Sequence, residues 1–290
     1  MKRAVTFFSE GAAIAADLYL PDDYAEGSKL PVIILCHGFA GIKELLLPAY
    51  AEAFAAAGYA ALLFDYRGFG ASEGERGRLI PREQVVDIRN AITYAETLPE
   101  VDADRIGLWG SSFGGANAVM TSAVDKRVKC LVVQLTFGNG ERVITGSQNE
   151  ADKAKLHAML QKAWQRAVTK NKPMLLAVNQ VLTDQQSQDF FTDAVEKFPE
   201  LKVKIPITTL QHTIECIPEA VIPSVNIPVL IVAAEKDDVN PLSESESLFA
   251  NANEPKSFFC VPGATHYEVY SGEKFKLVAE KQLAWFNQYL

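Results

Sequence analysis

No stretch of the sequence approaches the ~18 consecutive apolar residues that a membrane-spanning helix needs, and none of its four cysteines forms a C-x-x-C pair. The first absence speaks against a spanning helix, the second against the usual zinc and dithiol frameworks. Cys36, Cys130, Cys216 and Cys260 are widely spaced. Cys36, Cys130 and Cys260 lie in the apolar runs "VIILC", "KCLVV" and "FFCV", which predicts reduced, buried thiols. Basic residues are in deficit, 28 Lys and Arg against 36 Asp and Glu, for a net charge of −8. Such a surface repels polyanions, so no nucleic-acid partner is expected. The start "MKRAVTFFSEGAAIAADLYLP" is basic, but Glu10 and Asp17 interrupt any signal-like apolar core, and a cytoplasmic protein is the simplest expectation. Internal repeats and low-complexity tracts are also absent.

What is present is ordinary globular material, 48% hydrophobic and 22% charged over 290 residues, enough for one large core with an inserted segment. "LPVIILCHG" (30–38) is a continuous apolar run ending in a turn, the signature of a strand buried on both faces. "ELLLPAYAEAFAAAG" is helical at least beyond Pro48, with Gly58 as its stop. "YAALLFDYRG", "DRIGLWGS" and "VKCLVVQL" read as strands, separated by the helical "REQVVDIRNAITYAETL" and "FGGANAVMTSA". This alternation predicts a mostly parallel sheet with helices on both faces.

The rhythm breaks between about Gly138 and Pro206. No good strand appears there, only the amphipathic helical patterns "NEADKAKLHAMLQKAWQRAVTK" and "TDQQSQDFFTDAVEKF", the second with Thr183 or Asp184 as N-cap. Alternation resumes with "PVLIVAAEKD", "LSESESLFANA", "KSFFCVPG" and a final helix toward "EKQLAWFNQYL". The predicted organisation is therefore one α/β core over residues 1–137 and 207–290, with residues 138–206 inserted as a helical lid.

"RIGLWGSSFGGANAV" carries the first chemical signal. G-x-S-x-G fits only as Gly110, Ser111, Ser112, Phe113, Gly114, which makes Ser112 the candidate nucleophile and Ser111 a spacer. A serine at an abrupt strand-to-helix turn needs small neighbours two residues away on each side, and both are glycine. A hydroxyl also needs a base. Of the four histidines, His37 belongs to the turn after the first apolar strand, His157 to a lid helix, and His212 to no turn. His266, in "VPGATHYEVY", lies on a loop past the last strand, where chemistry collects in an open α/β sheet. The carboxylate that orients it is sought in "LIVAAEKDDVNP"; Asp237 is favoured over Asp238 and Glu235 as the first aspartate after the strand. Backbone N–H groups of Phe113, next to the nucleophile, and of Phe39, in "CHGFAG", are the candidate oxyanion donors. His37 reads as structural, tying down that loop.

These residues, in the order Ser112, Asp237, His266 and with "HGFAG", "FDYRGFGASEG", "GSSFGG", "EKDDVNP" and "GATHYEVY", resemble the α/β-hydrolase superfamily across nearly the whole chain. Within it the chain looks most like the X-Pro dipeptidyl-peptidase/cocaine-esterase and dienelactone-hydrolase-like branch. It departs from dienelactone hydrolases, which carry a cysteine nucleophile, and from the larger cocaine-esterase type, which carries an extra C-terminal β domain where this sequence ends with the helix after His266. The resemblance implies the α/β-hydrolase fold and an acyl-enzyme mechanism, without fixing the substrate. Asp65, Arg67 and Ser72 in "DYRGFGASEG" read as a hydrogen-bonded turn rather than a second catalytic set, because Gly68 and Gly70 mark tight turns. Trp164, Phe190 and Phe191 are candidate pocket residues from the lid.

The expected activity is hydrolysis of carboxylic esters or thioesters of small molecules, with no cofactor and no metal; a homo-oligomer stays open. An acyltransferase or small-peptide hydrolase using the same residues is the neighbouring alternative. A non-catalytic receptor or scaffold is the alternative of another class, disfavoured because no member of the catalytic set is missing.

Overall fold

In the computed structural model, which describes residues 1–290, the apolar runs form the centre of one eight-stranded sheet. Its strands are β1 (Lys2–Ser9), β2 (Ala12–Tyr19), β3 (Leu30–Cys36), β4 (Ala60–Phe64), β5 (Val101–Ser111) and β6 (Val128–Gln134). The short β7 (Leu175–Ala177) and β8 (Lys204–Pro206) pair only with each other, and β9 (Val229–Ala234) and β10 (Lys256–Val261) complete the main sheet. The order is β1-β2-β4-β3-β5-β6-β9-β10, antiparallel at β1-β2 and β2-β4 and parallel from β4 to β10.

Residues Val32 to Leu35 of β3 are wholly buried because the two faces of the strand feed two different cores. Val32 and Ile34 pack with α2 (Pro81–Glu96) and α3 (Phe113–Val124) through Ile88, Ile92 and Val119. Ile33 and Leu35 pack on the opposite face, with Tyr50 and Phe54 from α1 (Leu47–Ala56), the helix that follows β3. A run without polar alternation is what a strand covered on both sides requires. The β1-β2 hairpin closes through Glu10 and Gly11, whose φ values of 47° and 88° suit a two-residue type I′ turn.

Between β6 and β9 the chain leaves the sheet. It forms α4 (Gly140–Thr145), α5 (Glu150–Lys170), β7, α6 (Gln185–Lys197), β8, α7 (Thr209–Ile214) and α8 (Pro218–Val221) before α9 (Leu242–Asn251) and α10 (Gly272–Tyr289) return to the main body. Asp184 is the N-cap of α6, its carboxylate accepting from Ser187 N. The β7-β8 pair falls in a stretch where the sequence shows no strand pattern: three residues per strand are too few to display a period of two. The long α5 buries only Leu160 and Ala163. Cys36, Cys130 and Cys216 are buried, whereas Cys260, expected to be buried, is partly exposed because β10 is an edge strand. No helix is long and apolar enough to cross a membrane.

The excursion is anchored by ions. Arg142 on α4 pairs with Glu219 on α8 and with Glu244 on α9, and the Glu244 carboxylate also accepts from the N–H groups of Gly138 and Asn139, each at 3.0 Å. The Arg142 guanidinium holds the Glu219 carboxyl down at about 2. A carboxyl whose pKa is depressed by folding adds stability above its unfolded value, about 4.3, and that stability is lost as the pH falls toward 2. Glu219→Gln is therefore expected to lower the melting temperature by roughly 2 °C at neutral pH, much of the Coulomb gain being screened at this partly exposed site. The difference from wild type should close as the pH drops from about 4 to about 2. A pH-independent difference would place the effect outside this ion cluster.

Candidate active site

β5 ends at Ser111 and α3 begins at Phe113, leaving Ser112 alone at the junction with φ 55° and ψ −123°. A non-glycine residue in such a conformation costs on the order of 1–3 kcal/mol and persists only where its surroundings force it. Here they do. Ser112 N–H donates to the Gln134 carbonyl at 2.9 Å, and its own carbonyl accepts from Gly115 at 3.0 Å. A Cβ on Gly110 would stand 2.4 Å from the Gly114 carbonyl oxygen, and one on Gly114 would stand 2.1 Å and 2.4 Å from the carbonyl oxygens of Cys36 and His37. Because those are backbone atoms, Gly114→Ala is expected to destabilise by about 3 kcal/mol or more. Gly27→Ala, whose Cβ meets nothing within 4 Å, should cost only backbone strain of about 1 kcal/mol. Thermal unfolding of the two variants checks the comparison; equal losses would mean that β3 and α3 have room to move apart.

Ser111 borders the same pocket as Ser112, but its hydroxyl is taken up. It is buried, and its hydroxyl bonds the Tyr270 hydroxyl. Ser112 Oγ accepts from Asn240 Nδ2 at 3.3 Å, and the same amide donates to the Leu135 carbonyl at 2.7 Å. Ser112 and His266 line one pocket, without a hydrogen bond between them.

His266 follows β10 on its loop, and Asp237 follows β9. Their side chains, 3% and 1% exposed, meet in a hydrogen bond of 2.7 Å from His266 Nδ1 to Asp237 Oδ2. The other oxygen, Oδ1, accepts from the N–H groups of Val239 and Asn240 at 2.9 and 2.8 Å, so the turn after Asp237 fixes the carboxylate. Asp238 is exposed and accepts from Gln186 Nε2, while the exposed Glu235 accepts from Gly263 N. Gln186, at the start of α6, does more than that. Its Nε2 also donates to the Lys236 carbonyl, and its Oε1 accepts from His266 N–H at 3.0 Å. Beside it, Ser187 bonds the Tyr267 hydroxyl and Phe190 stacks on the Tyr267 ring at 4.1 Å. The inserted segment thus grips both loops that carry the His-Asp pair.

The loop after β3 lies against Ser112: a Cβ on Gly38 would be 3.2 Å from Ser112 Cβ. The Phe39 N–H has no protein acceptor, and the Phe113 N–H, at the first position of α3, has none within the helix. The two rings pack edge to face at 5.5 Å. His37 donates from Nδ1 to the Gly38 carbonyl at 3.0 Å and packs on Tyr66; burial pushes its pKa down to about 4, so it is neutral at neutral pH.

Asp65, Arg67 and Ser72 form a turn. Asp65 accepts from Lys43 N at 2.7 Å and Ala71 N at 2.9 Å, its carbonyl accepts from Ser72 Oγ, and burial pushes its carboxyl up to about 6. Arg67 pairs with Asp87 and Glu10. Through Lys43 this turn holds the Phe39 loop.

Phe190 and Phe191 line the pocket that contains Ser112 and His266. Trp164 does not: it is 38% exposed, stands edge-on to His212 at 5.7 Å, and lines neither cavity at Ser112. A helical period says that an aromatic has a face to cover, without saying which. Asn240 and Gln186 carry no sequence signal, since their contacts cross 128 and 80 residues respectively. Nowhere do three or more His, Cys, Asp or Glu side chains cluster as metal ligands would.

A mostly parallel sheet in this order, with a serine at the β5-α3 elbow and a His-Asp pair on the loops after the last two strands, defines an α/β hydrolase. The chain belongs to the serine aminopeptidase S33 family (Hydrolase_4), whose profile matches residues 27–270. That match supports the superfamily and does not single out the X-Pro dipeptidyl-peptidase, cocaine-esterase or dienelactone-hydrolase branch. The chain is 43% identical over 263 residues to an Escherichia coli protein named for its 31.7 kDa mass and its place between traX and finO, covering 90% of this chain and 92% of that one. A thiohydrolase of Eupenicillium brefeldianum is 29% identical, with 88% of this chain and 85% of that one covered. The solved structure of DcsB with its substrate analogue superposes over the whole of both chains, with a TM-score of 0.88 and 27% identity.

Proposed function

We propose that this protein is a serine hydrolase that cleaves carboxylic esters or thioesters of small molecules through an acyl-enzyme. The observation that carries the reading is the buried 2.7 Å bond from His266 Nδ1 to Asp237 Oδ2, at the pocket that Ser112 also lines. An imidazole whose Nδ1 proton is held by a carboxylate presents a basic Nε2. Ser112 Oγ attacks the substrate carbonyl as Nε2 takes its proton, and Asp237 stabilises the imidazolium that forms. The free N–H groups of Phe39 and Phe113 donate to the tetrahedral oxyanion, each contributing about 3 kcal/mol. His266 then returns the proton to the leaving oxygen or sulfur. Water, deprotonated by the same imidazole, attacks the acyl-enzyme, and the carboxylic acid leaves as Ser112 is reprotonated. Residues 138–206 act as the lid, closing over the pocket with Phe190 and Phe191.

The thiohydrolase relative favours thioesters beside esters, while the family's description favours a second reading, an amide hydrolase acting on small peptides. Turnover of matched ester, thioester and amide substrates, with intact mass after fluorophosphonate treatment, tests the proposal. One covalent adduct with ester or thioester cleavage is expected. Amide cleavage alone would favour the peptidase, and a folded protein without adduct or turnover would overturn both readings.

A further inference from the structure

Two cavities meet at Ser112, and they differ tenfold in size. The smaller, about 50 Å³, has His266 in its wall with Leu45, Phe190 and Tyr267. The larger, about 520 Å³, has no residue of the His266 loop; Phe113, Phe137, Val143, Leu156 and Leu210 give it an apolar wall, and Gln148, Asp184 and Thr213 a polar one. Phe39, Leu182 and Val239 border both.

We infer that the larger cavity receives the acyl group and the smaller one the leaving group, so that the substrates are esters or thioesters joining a bulky acyl group to a compact alcohol or thiol. The inference rests on the hydrolase reading above. Its direction comes from the proton: His266 has to protonate the leaving atom, so that atom and what it carries lie on the imidazole side. The acyl group stays on Ser112 after the leaving group departs, and the cavity remote from His266 is the one that can hold it. Its content comes from size. A water-sized group takes up about 10–15 Å³ of such space, so the smaller cavity admits about four heavy atoms. The larger falls within the roughly 300–1,000 Å³ of sites that hold drug-sized ligands.

Isomeric esters separate the two orientations. Ethyl decanoate places ten carbons on the acyl side and a two-carbon alcohol on the other; decyl acetate reverses them. Ethyl decanoate is expected to be cleaved with a kcat/KM at least about tenfold higher, the discrimination that a few misplaced methylenes produce. A ratio of one or below would overturn the assignment. Leu156→Trp, which fills the larger cavity from α5, is expected to cut the preference for ethyl decanoate over ethyl acetate about tenfold, and an unchanged preference would count against it. Should neither ester be cleaved, the hydrolase reading is judged by the fluorophosphonate adduct and the thioester, and the assignment is decided separately by calorimetry of decanoate on Ser112→Ala. Binding that disappears in Ser112→Ala with Leu156→Trp supports the acyl cavity; no binding to Ser112→Ala removes it.

Discussion

Ser112→Ala is expected to lower ester turnover by about 10⁴- to 10⁶-fold and to abolish the fluorophosphonate adduct, with the melting temperature almost unchanged. Alanine keeps the Cβ, so the strained φ of 55° is no worse, and the only side-chain bond lost is the long one from Asn240. Ser111→Ala should show the opposite signature. Its hydroxyl bonds the buried Tyr270 hydroxyl, and removing it strands that group at a cost of about 1–3 kcal/mol. Activity should stay within about tenfold, since Ser111 supplies none of the reacting groups. One neighbour is thus expected to control chemistry and the other stability. Measuring kcat/KM and thermal unfolding on both variants checks this, and equal losses of activity would move the nucleophile away from the elbow.

The parts of this architecture legible in the sequence are those whose physics is local. Val32–Leu35 announces a doubly covered strand because every position must be apolar. The elbow announces itself because Gly110 and Gly114 leave no room for a Cβ. The β1-β2 hairpin leaves little trace in the sequence. Its turn residues Glu10 and Gly11 are a weak signal, and "AAIAAD" has few of the β-branched side chains that mark strands. What one sequence withholds is the partner across the fold. Trp164 on α5 and Phe190 on α6 look alike on a helical period, yet one stands against His212 and the other stacks on Tyr267. Asn240 sits only three residues beyond Asp237, but its contact with Ser112 exists only after β5 and β9 flank β6.

The same limit applies to Asp237 and Asp238, adjacent and chemically identical, and there substitution gives a sharp expectation. Asp238→Asn should change kcat less than about threefold: the side chain is exposed, and an amide oxygen can still accept from Gln186. Asp237→Asn should lower kcat by about 10⁴-fold, the loss found for the equivalent change in the chymotrypsin-type triad. The reason lies in the number of donors that meet at this carboxylate. Three point at it, from Val239 N, Asn240 N and His266 Nδ1. An amide has one accepting oxygen. If that oxygen turns to the imidazole, the amide N–H₂ confronts two backbone donors, each buried and unpaired at about 1–3 kcal/mol. If it stays with the backbone, the N–H₂ faces His266 and drives the ring proton to Nε2, where it blocks the transfer from Ser112. The second arrangement costs less free energy, so the variant keeps its fold and loses its base. Paired kcat and unfolding measurements on Asp237→Asn and Asp238→Asn test this. Equal loss of activity in both would mean that the turn, rather than the carboxylate of Asp237, orients the histidine.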